Sequence, residues 1–153
     1  MTRRTYTLLA LAGSAGLLLG ALYFQFVQGL LPCQLCYWQR YGHFGALVIG
    51  GIALALPNRI LLALGALSAL SSSVIGIFHS GVERQWWEGL KSCSAPSLEG
   101  LSPEEAMEAI MNAPMVPCDQ IPWEMFGLSM ANYNVVASAV IAALFVMAMR
   151  APR

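Results

Sequence analysis

From Thr5 to Val27 the chain runs without a charged residue, and three more apolar stretches follow, from about Tyr37 to Leu56, Ile60 to Ser80 and Asn132 to Met149. Each approaches the roughly 20 residues a helix needs to cross the hydrocarbon core of a bilayer. Lipid leaves backbone N–H and C=O groups only two ways to be satisfied, a helix or a closed barrel, so repeated runs of this length predict spanning helices. Composition agrees: 58% of the 153 residues are hydrophobic and 10% charged, where a soluble domain carries about 25% charged. Gly, Ala and Ser recur inside the runs, as in AGSAG, GALVIGG and LGALSALSSS, and small residues let helix backbones approach closely. The expected fold is an all-α membrane protein, a four-transmembrane-helix bundle forming one integral membrane domain over 1–153. Its spans lie at about 5–27, 37–56, 60–80 and 132–149, with Pro57 and Asn58 breaking the chain between the second and third.

Lys and Arg placement orients such a bundle. Arg3, Arg4, Arg59, Arg150 and Arg153 share one side, and Arg40, Arg84 and Lys91 fall on the other. Both termini are then cytoplasmic, and loops of about 28–36 and 81–131 lie outside. All eight acids fall between Gly81 and Met130, which makes the long loop between the third and fourth helices water-facing. A formal net charge of zero gives no electrostatic handle on nucleic acid. The first apolar run is too long for a cleaved signal peptide, and three spans follow it, so it is expected to be retained.

All four cysteines, Cys33, Cys36, Cys93 and Cys118, face outward in this topology. Disulfides persist there and not in the cytosol. Cys33–Cys36 with Cys93–Cys118 is one of three possible connectivities. A structural zinc site favours paired short spacings, which Cys93 and Cys118 do not supply, so no metal is expected. Haem attachment needs His after the Cys-x-x-Cys, and Tyr37 stands there. A bridge across Cys93 and Cys118 would staple a long loop. A bridge across Cys33 and Cys36 would staple almost nothing, and their spacing is the one that lowers thiol pKa for exchange. Cys33/Cys36 is therefore read as a redox pair.

Arg40 lies four residues beyond Cys36, on the same helical face one turn deeper, and His43 continues that stripe. A cation beside a thiol favours the reactive thiolate. An arginine at this depth needs an anionic or polar partner, and its simpler role is that of a topology marker snorkelling to the interface. His79 closes the third span at the depth of Arg40, where an acceptor bound in a shared pocket could use one as a charge and the other as a proton source.

In the long loop, GVERQWWEGL sets Val82, Trp86 and Leu90 on one helical face with Glu83 and Arg84 turned away, which predicts a segment lying along the membrane surface. SPEEAMEAIMN predicts a short helix capped by Ser102, opened by Pro103 and boxed by Glu105. Its Met107, Ile110 and Met111 are expected to pack on the loop itself. Pro96, Pro114, Pro117 and Pro122 keep the remainder irregular and able to change shape.

CQLCYWQR before the second span, FHSGVE at the end of the third and PCDQIPWEMFGLSMANYN leading into the fourth resemble the DsbB family, bacterial inner-membrane proteins of disulfide bond formation. The resemblance covers nearly the whole chain. It implies a quinone-dependent protein-dithiol oxidoreductase of the bacterial inner (cytoplasmic) membrane, from the system that serves as the standing example of a compartment kept oxidising kinetically. By this resemblance Cys93 and Cys118 exchange with a periplasmic thioredoxin-like, DsbA-like thiol oxidase, and Cys33 and Cys36 pass electrons to a membrane quinone, ubiquinone or menaquinone. Arg40 matches the arginine beside the quinone, and His79 a histidine of the same pocket. The acid-rich loop between Cys93 and Cys118 departs from the best-known members, which bears on partner docking. A vitamin-K-epoxide-reductase-like protein would carry its quinone-proximal Cys-x-x-Cys after the loop cysteines, whereas here it comes first. A structural membrane protein with stapling disulfides would show neither thiol exchange nor quinone dependence.

The orientation has a direct test. After reduction of intact cells, a membrane-impermeant thiol reagent should label Cys93 and Cys118. Labelling only after lysis would reverse the topology.

Overall fold

The computed structural model of the chain describes residues 1–90, 93, 94, 96, 98–112 and 116–152. Lys91 and Arg153 of the charge argument, and Pro114 of the loop, lie outside the described residues. Four long helices dominate: α1 (Arg3–Phe26), α2 (Gln34–Ala55), α3 (Arg59–Glu83) and α5 (Met130–Arg150). Between α3 and α5 come the short α4 (Pro103–Met111) and a two-stranded antiparallel hairpin, β1 (Glu124–Met125) and β2 (Leu128–Ser129). Each long helix starts on a side-chain cap. The Thr2 hydroxyl accepts from the Thr5 N–H, Cys33 Sγ from the Cys36 N–H, Asn58 from the Ile60 N–H and Ser129 from the Asn132 N–H.

The four helices form a ring in which α1 packs on α2, α2 on α3, α3 on α5 and α5 on α1. Arg3 N–H donates to Pro152 O at 2.9 Å, tying the two ends of the chain together. Because the helices alternate in direction, the loops that carry all four cysteines gather at the opposite end. The bundle is lined with small residues, Ala10, Ala46, Ala53, Ala66, Ala69 and Ala148, around the buried ring of Phe145. Large apolar residues such as Leu19, Phe44, Ile60, Leu67 and Val136 point outward, which suits a lipid surround. Among the described residues, α1, α3 and α5 are long and apolar enough to cross a membrane. Helix α2 matches them in length at 22 residues, but its first half carries Gln34, Gln39, Arg40 and His43.

Close approach replaces bulk at two contacts. A Cβ on Gly42 would meet the Ser68 carbonyl oxygen at 2.8 Å, and one on Gly65 would meet the Phe145 ring at 3.0 Å. Serines then hydrogen-bond across the seams: Ser68 Oγ to Gly42 O, Ser72 Oγ to Gln39 O and Ser73 Oγ to Val135 O, each at 2.9 Å.

The outer loop departs from expectation in three places. No helix runs through 84–90: α3 ends at Glu83, Gln85 takes a positive φ of 56°, and the chain doubles back. Trp87 then lies over Gly81, stacks on Phe78 and donates its indole N–H to Phe78 O at 3.0 Å. Glu83, which the sequence pattern turned outward, is buried: it faces His79 one turn back on α3 and accepts a hydrogen bond from Ser129 Oγ. Helix α4 has the full capping box of Ser102 and Glu105, and the backbone N–H of Ser102 holds the Glu105 carboxyl below the usual range. Its Met107, Ile110 and Met111 do not pack on the loop, however, and stand 60%, 54% and 79% exposed. Among the described residues, this nine-residue helix has none that is buried. The hairpin at 124–129 is the third departure; it turns on Phe126 and Gly127, both at positive φ, the geometry that fits a tight hairpin's twist.

The helix seam makes a prediction with an internal control. Gly42→Ala should destabilise the bundle by about 1–3 kcal/mol through overpacking. Gly51→Ala, whose added methyl meets nothing within 4 Å, should be neutral or slightly stabilising because Ala favours helix. Thermal midpoints of the two variants in one detergent would decide.

Candidate active site

At the cysteine-bearing end the bundle opens into a cavity of about 470 Å³, within the range that accommodates a small-molecule ligand. Leu17, Ala21 and Phe24 of α1 form one apolar wall, and Trp123 of the outer loop packs between Phe24 and Tyr133, with ring centroids at 5.3 and 6.1 Å. Against this apolar lining stand polar groups, among them Cys33, Cys36, Gln39, Arg40, His43, His79, Glu83 and Asn134.

Cys33 caps α2, which places both sulfurs of the pair at a helix N-terminus. Their Sγ atoms are 2.9 Å apart and unbonded. Cys33 is buried and Cys36 half-buried. The hydrogen bond between the two sulfurs, followed by burial, raises the Cys33 thiol well above the usual range. The proton of a reduced pair therefore rests on Cys33, and a charge belongs on Cys36, beside the positive end of the helix.

Arg40 lies one turn deeper and is half-buried. It donates from Nη1 to Gln25 Oε1 at 2.5 Å and from Nη2 to Ala21 O at 3.3 Å, and its guanidinium sits 5.5 Å from the Tyr37 ring centroid. The polar partner expected of it is thus Gln25 of α1. His43 also lines the cavity, and its ring meets Ser14, Asn134 and Ser138.

Cys93 and Cys118 are joined in a disulfide, with Cα atoms 5.3 Å apart, and both are buried. The bridge is not remote from the first pair. Cys118 Sγ, Cys33 Sγ and a His79 ring nitrogen all lie within 4.8 Å of one another. His79 Nε2 is 3.6 Å from Cys33 Sγ and 3.7 Å from Glu83 Oε1. Thiol exchange needs sulfur to reach sulfur, and here a loop sulfur and a helix-cap sulfur are nearly in contact.

Five of the six expected site residues, Cys33, Cys36, Arg40, His79 and Cys118, converge on one end of the cavity, and Cys93 is joined to them through its disulfide. Gln39, Glu83 and Asn134 were not among the expectations. Gln39 and Asn134 could have been noticed as amides inside predicted spans, where polar groups demand partners. Glu83 could have been noticed as the residue one turn beyond His79 on α3, on the same helical face.

Sequence relatives point the same way as this geometry. The family described as Disulfide bond formation protein DsbB matches residues 3–148. Disulfide bond formation protein B of a Shewanella strain is 36% identical over 135 residues, spanning 84% of this chain and 77% of that protein. The Haemophilus influenzae protein of the same name is 33% identical over 125 residues, 76% and 68% of the two chains. The one from Actinobacillus pleuropneumoniae is 30% identical over 152 residues, 95% and 84%.

The thiol pair gives a pH prediction. With its pKa raised by the hydrogen bond to Cys36 and by burial, Cys33 is expected to hold its proton at neutral pH. In reduced protein at pH 7, iodoacetamide should therefore modify Cys36 before Cys33, as read by peptide mass spectrometry. Equal rates at neutral pH would mean the proton is not held on Cys33.

Proposed function

We propose a path for the electrons of a chain that belongs to the DsbB family and is therefore a disulfide-generating oxidoreductase of the membrane. All four long helices span the bacterial inner membrane as one unit, with both termini cytoplasmic and the cysteine-bearing end periplasmic. Helix α2, the least apolar, is supported as a span by its length and by its packing between α1 and α3. The Cys93/Cys118 pair takes electrons from a thioredoxin-like, DsbA-like partner, and Cys33/Cys36 delivers them to a membrane quinone.

The observation that carries this reading is the meeting of Cys33 and Cys118 at the mouth of an apolar cavity with a cation in its wall. When the loop pair has been reduced by the partner, a Cys118 thiolate attacks Cys33 of a Cys33–Cys36 disulfide. The electron pair leaves on Cys36, at the helix N-terminus and one turn from Arg40. Attack by Cys93 on Cys118 then closes the loop bridge and releases Cys33. The structure corresponds to the end of that sequence, loop pair closed and helix-cap pair open. Both loop cysteines are buried in this arrangement, so the loop must lift for Cys93 to meet a partner.

The cavity fits a quinone, ubiquinone or menaquinone. Its walls are apolar, its size is sufficient, and Arg40 with its Tyr37 contact would hold a carbonyl-bearing ring, with His79 also in the lining. Such a molecule supplies an acceptor for two electrons and two protons. A partner disulfide at about −120 mV can be re-formed only by an acceptor of higher potential, which the lipid phase provides. Arg40 orients and Cys36 reacts, while Leu17, Ala21 and Phe24 exclude water.

Two variants test the division of labour. Cys36→Ser should abolish quinone reduction yet still form a mixed disulfide between Cys93 and the partner. Arg40→Met should raise the apparent quinone KM about ten- to a hundredfold, the loss expected for hydrogen bonds to a charged group, while partner exchange is spared. Normal turnover of Cys36→Ser with quinone would defeat the two-pair relay.

A further inference from the structure

Proton positions in the buried amide and imidazole chain follow from two backbone carbonyls. A carbonyl oxygen can only accept. Leu35 O faces Gln39 Nε2 at 3.2 Å, and Ser72 O faces Asn134 Nδ2 at 3.2 Å, so both side-chain amides are fixed in orientation. Between them, Asn134 Nδ2 donates to Gln39 Oε1 at 2.8 Å, consistent with both assignments. The Gln39 nitrogen then points at His79 Nδ1, 3.0 Å away. That ring nitrogen must accept, which leaves the proton of the neutral imidazole on Nε2. What Nε2 faces can take a hydrogen bond: Cys33 Sγ at 3.6 Å and Glu83 Oε1 at 3.7 Å, with the Cys118 backbone as a further acceptor against the ring. The same reasoning fixes His43, whose Nε2 donates to Asn134 Oδ1 at 3.0 Å and whose Nδ1 is left to accept from Ser14.

We propose that Gln39, held by Asn134, is a positioning residue that locks His79 as its Nε2–H tautomer and so gives Cys33 a fixed hydrogen-bond donor. The use of that donor rests on the relay proposed above. When a Cys93 thiolate attacks Cys118 of a Cys33–Cys118 disulfide, the Cys93–Cys118 bond forms and the Cys33–Cys118 bond breaks. The electron pair leaves on Cys33 Sγ, and no proton needs to move. Cys33 is buried, so a bare thiolate there is costly, and a thiol that leaves poorly slows exchange. The Nε2–H offsets this by hydrogen-bonding the departing sulfur. The opposite tautomer would aim a lone pair at the same sulfur. It would also present a nitrogen ligand to Cys33 and Cys118, a soft donor set suited to zinc. A metal-binding histidine normally donates from its other ring nitrogen, and Gln39, itself a donor, prevents that here.

With two histidines in the chain, ring-nitrogen NMR can read the lock directly. Reduced protein labelled with 15N-histidine, in micelles and without quinone or partner, should show Nε2 pyrrole-like and Nδ1 pyridine-like in both rings at neutral pH. In Gln39→Glu a carboxylate that only accepts should place a proton on His79 Nδ1 and leave His43 unchanged. In Gln39→Leu, His79 should show a mixture of tautomers, and electron transfer from the loop pair to Cys33–Cys36 should slow about tenfold. A protonated His79 Nδ1 in the wild type, or a ring indifferent to Gln39→Glu, overturns the lock. An unchanged transfer rate in Gln39→Leu despite mixed tautomers overturns its service to Cys33. Failure to trap a Cys33–Cys118 disulfide in Cys93→Ser protein, where Cys118 can displace Cys36 from a Cys33–Cys36 disulfide and no Cys93 resolves the product, would instead sink the relay, since the NMR signals judge the lock without it.

Discussion

Where α2 meets α5, the Asn134 amide donates to Gln39 Oε1 at 2.8 Å, and the polar groups around that bond are satisfied outward from it. Ser72 and His43 lie on one side, Leu35 O and His79 on the other. In a bundle surrounded by lipid, a polar side chain that loses its partner finds no water to replace it. Connected polar groups are therefore satisfied together or not at all. This network joins α1 through Ser14, α2 through Gln39, α3 through Ser72 and α5 through Asn134 and Ser138. It sets the register of the four helices in the half of the bundle where the chemistry lies, while the other half is held by small residues packed around Phe145.

Register is what brings the cysteines into range. Cys33 is both a reacting sulfur and the cap of α2, so its position follows from where that helix begins. His79 is carried to it by the last turn of α3, and its ring is aimed by Gln39. The outer loop then supplies Cys118 from above, with Trp123 lodged between α1 and α5 to close the cavity wall. Fixed elements thus hold the helix-cap pair, and a segment of irregular backbone carries the other pair. That contrast suits a relay in which one pair stays at the membrane and its counterpart alternates between the membrane and a soluble protein.

Much of this was legible in the residues alone. Uncharged runs give the long helices, because lipid leaves the backbone few alternatives. Ser102 and Pro103 mark a helix start through chemistry confined to one turn. The Cys-x-x-Cys spacing with Arg40 at i+4 locates the reactive end, because a helix puts those residues on one face. Other features were not legible, for a common reason. Glu83 and Arg84 are adjacent charges in a water-facing segment, and only the packing of Ser129, at the start of α5, against the end of α3 shows that one is buried while the other stays exposed. Met107, Ile110 and Met111 look like a packing face, but periodicity describes a helix and not what stands opposite it.

By itself, then, the sequence determined that the chain forms long apolar helices, that its cysteines gather at one end of them, and that the thiol pair beside Arg40 is suited to exchange. These follow from hydrophobicity, helical period and local spacing, which act over a few residues. Tertiary structure alone decided that Cys118 lies against Cys33, that Glu83 is buried, and that Gln39 faces the one histidine nitrogen that settles where the proton sits. Those are contacts and hydrogen-bond directions between groups 40 or more positions apart, Glu83 being covered by Ser129. No local rule connects such groups; only the packing of the helices on one another brings them together.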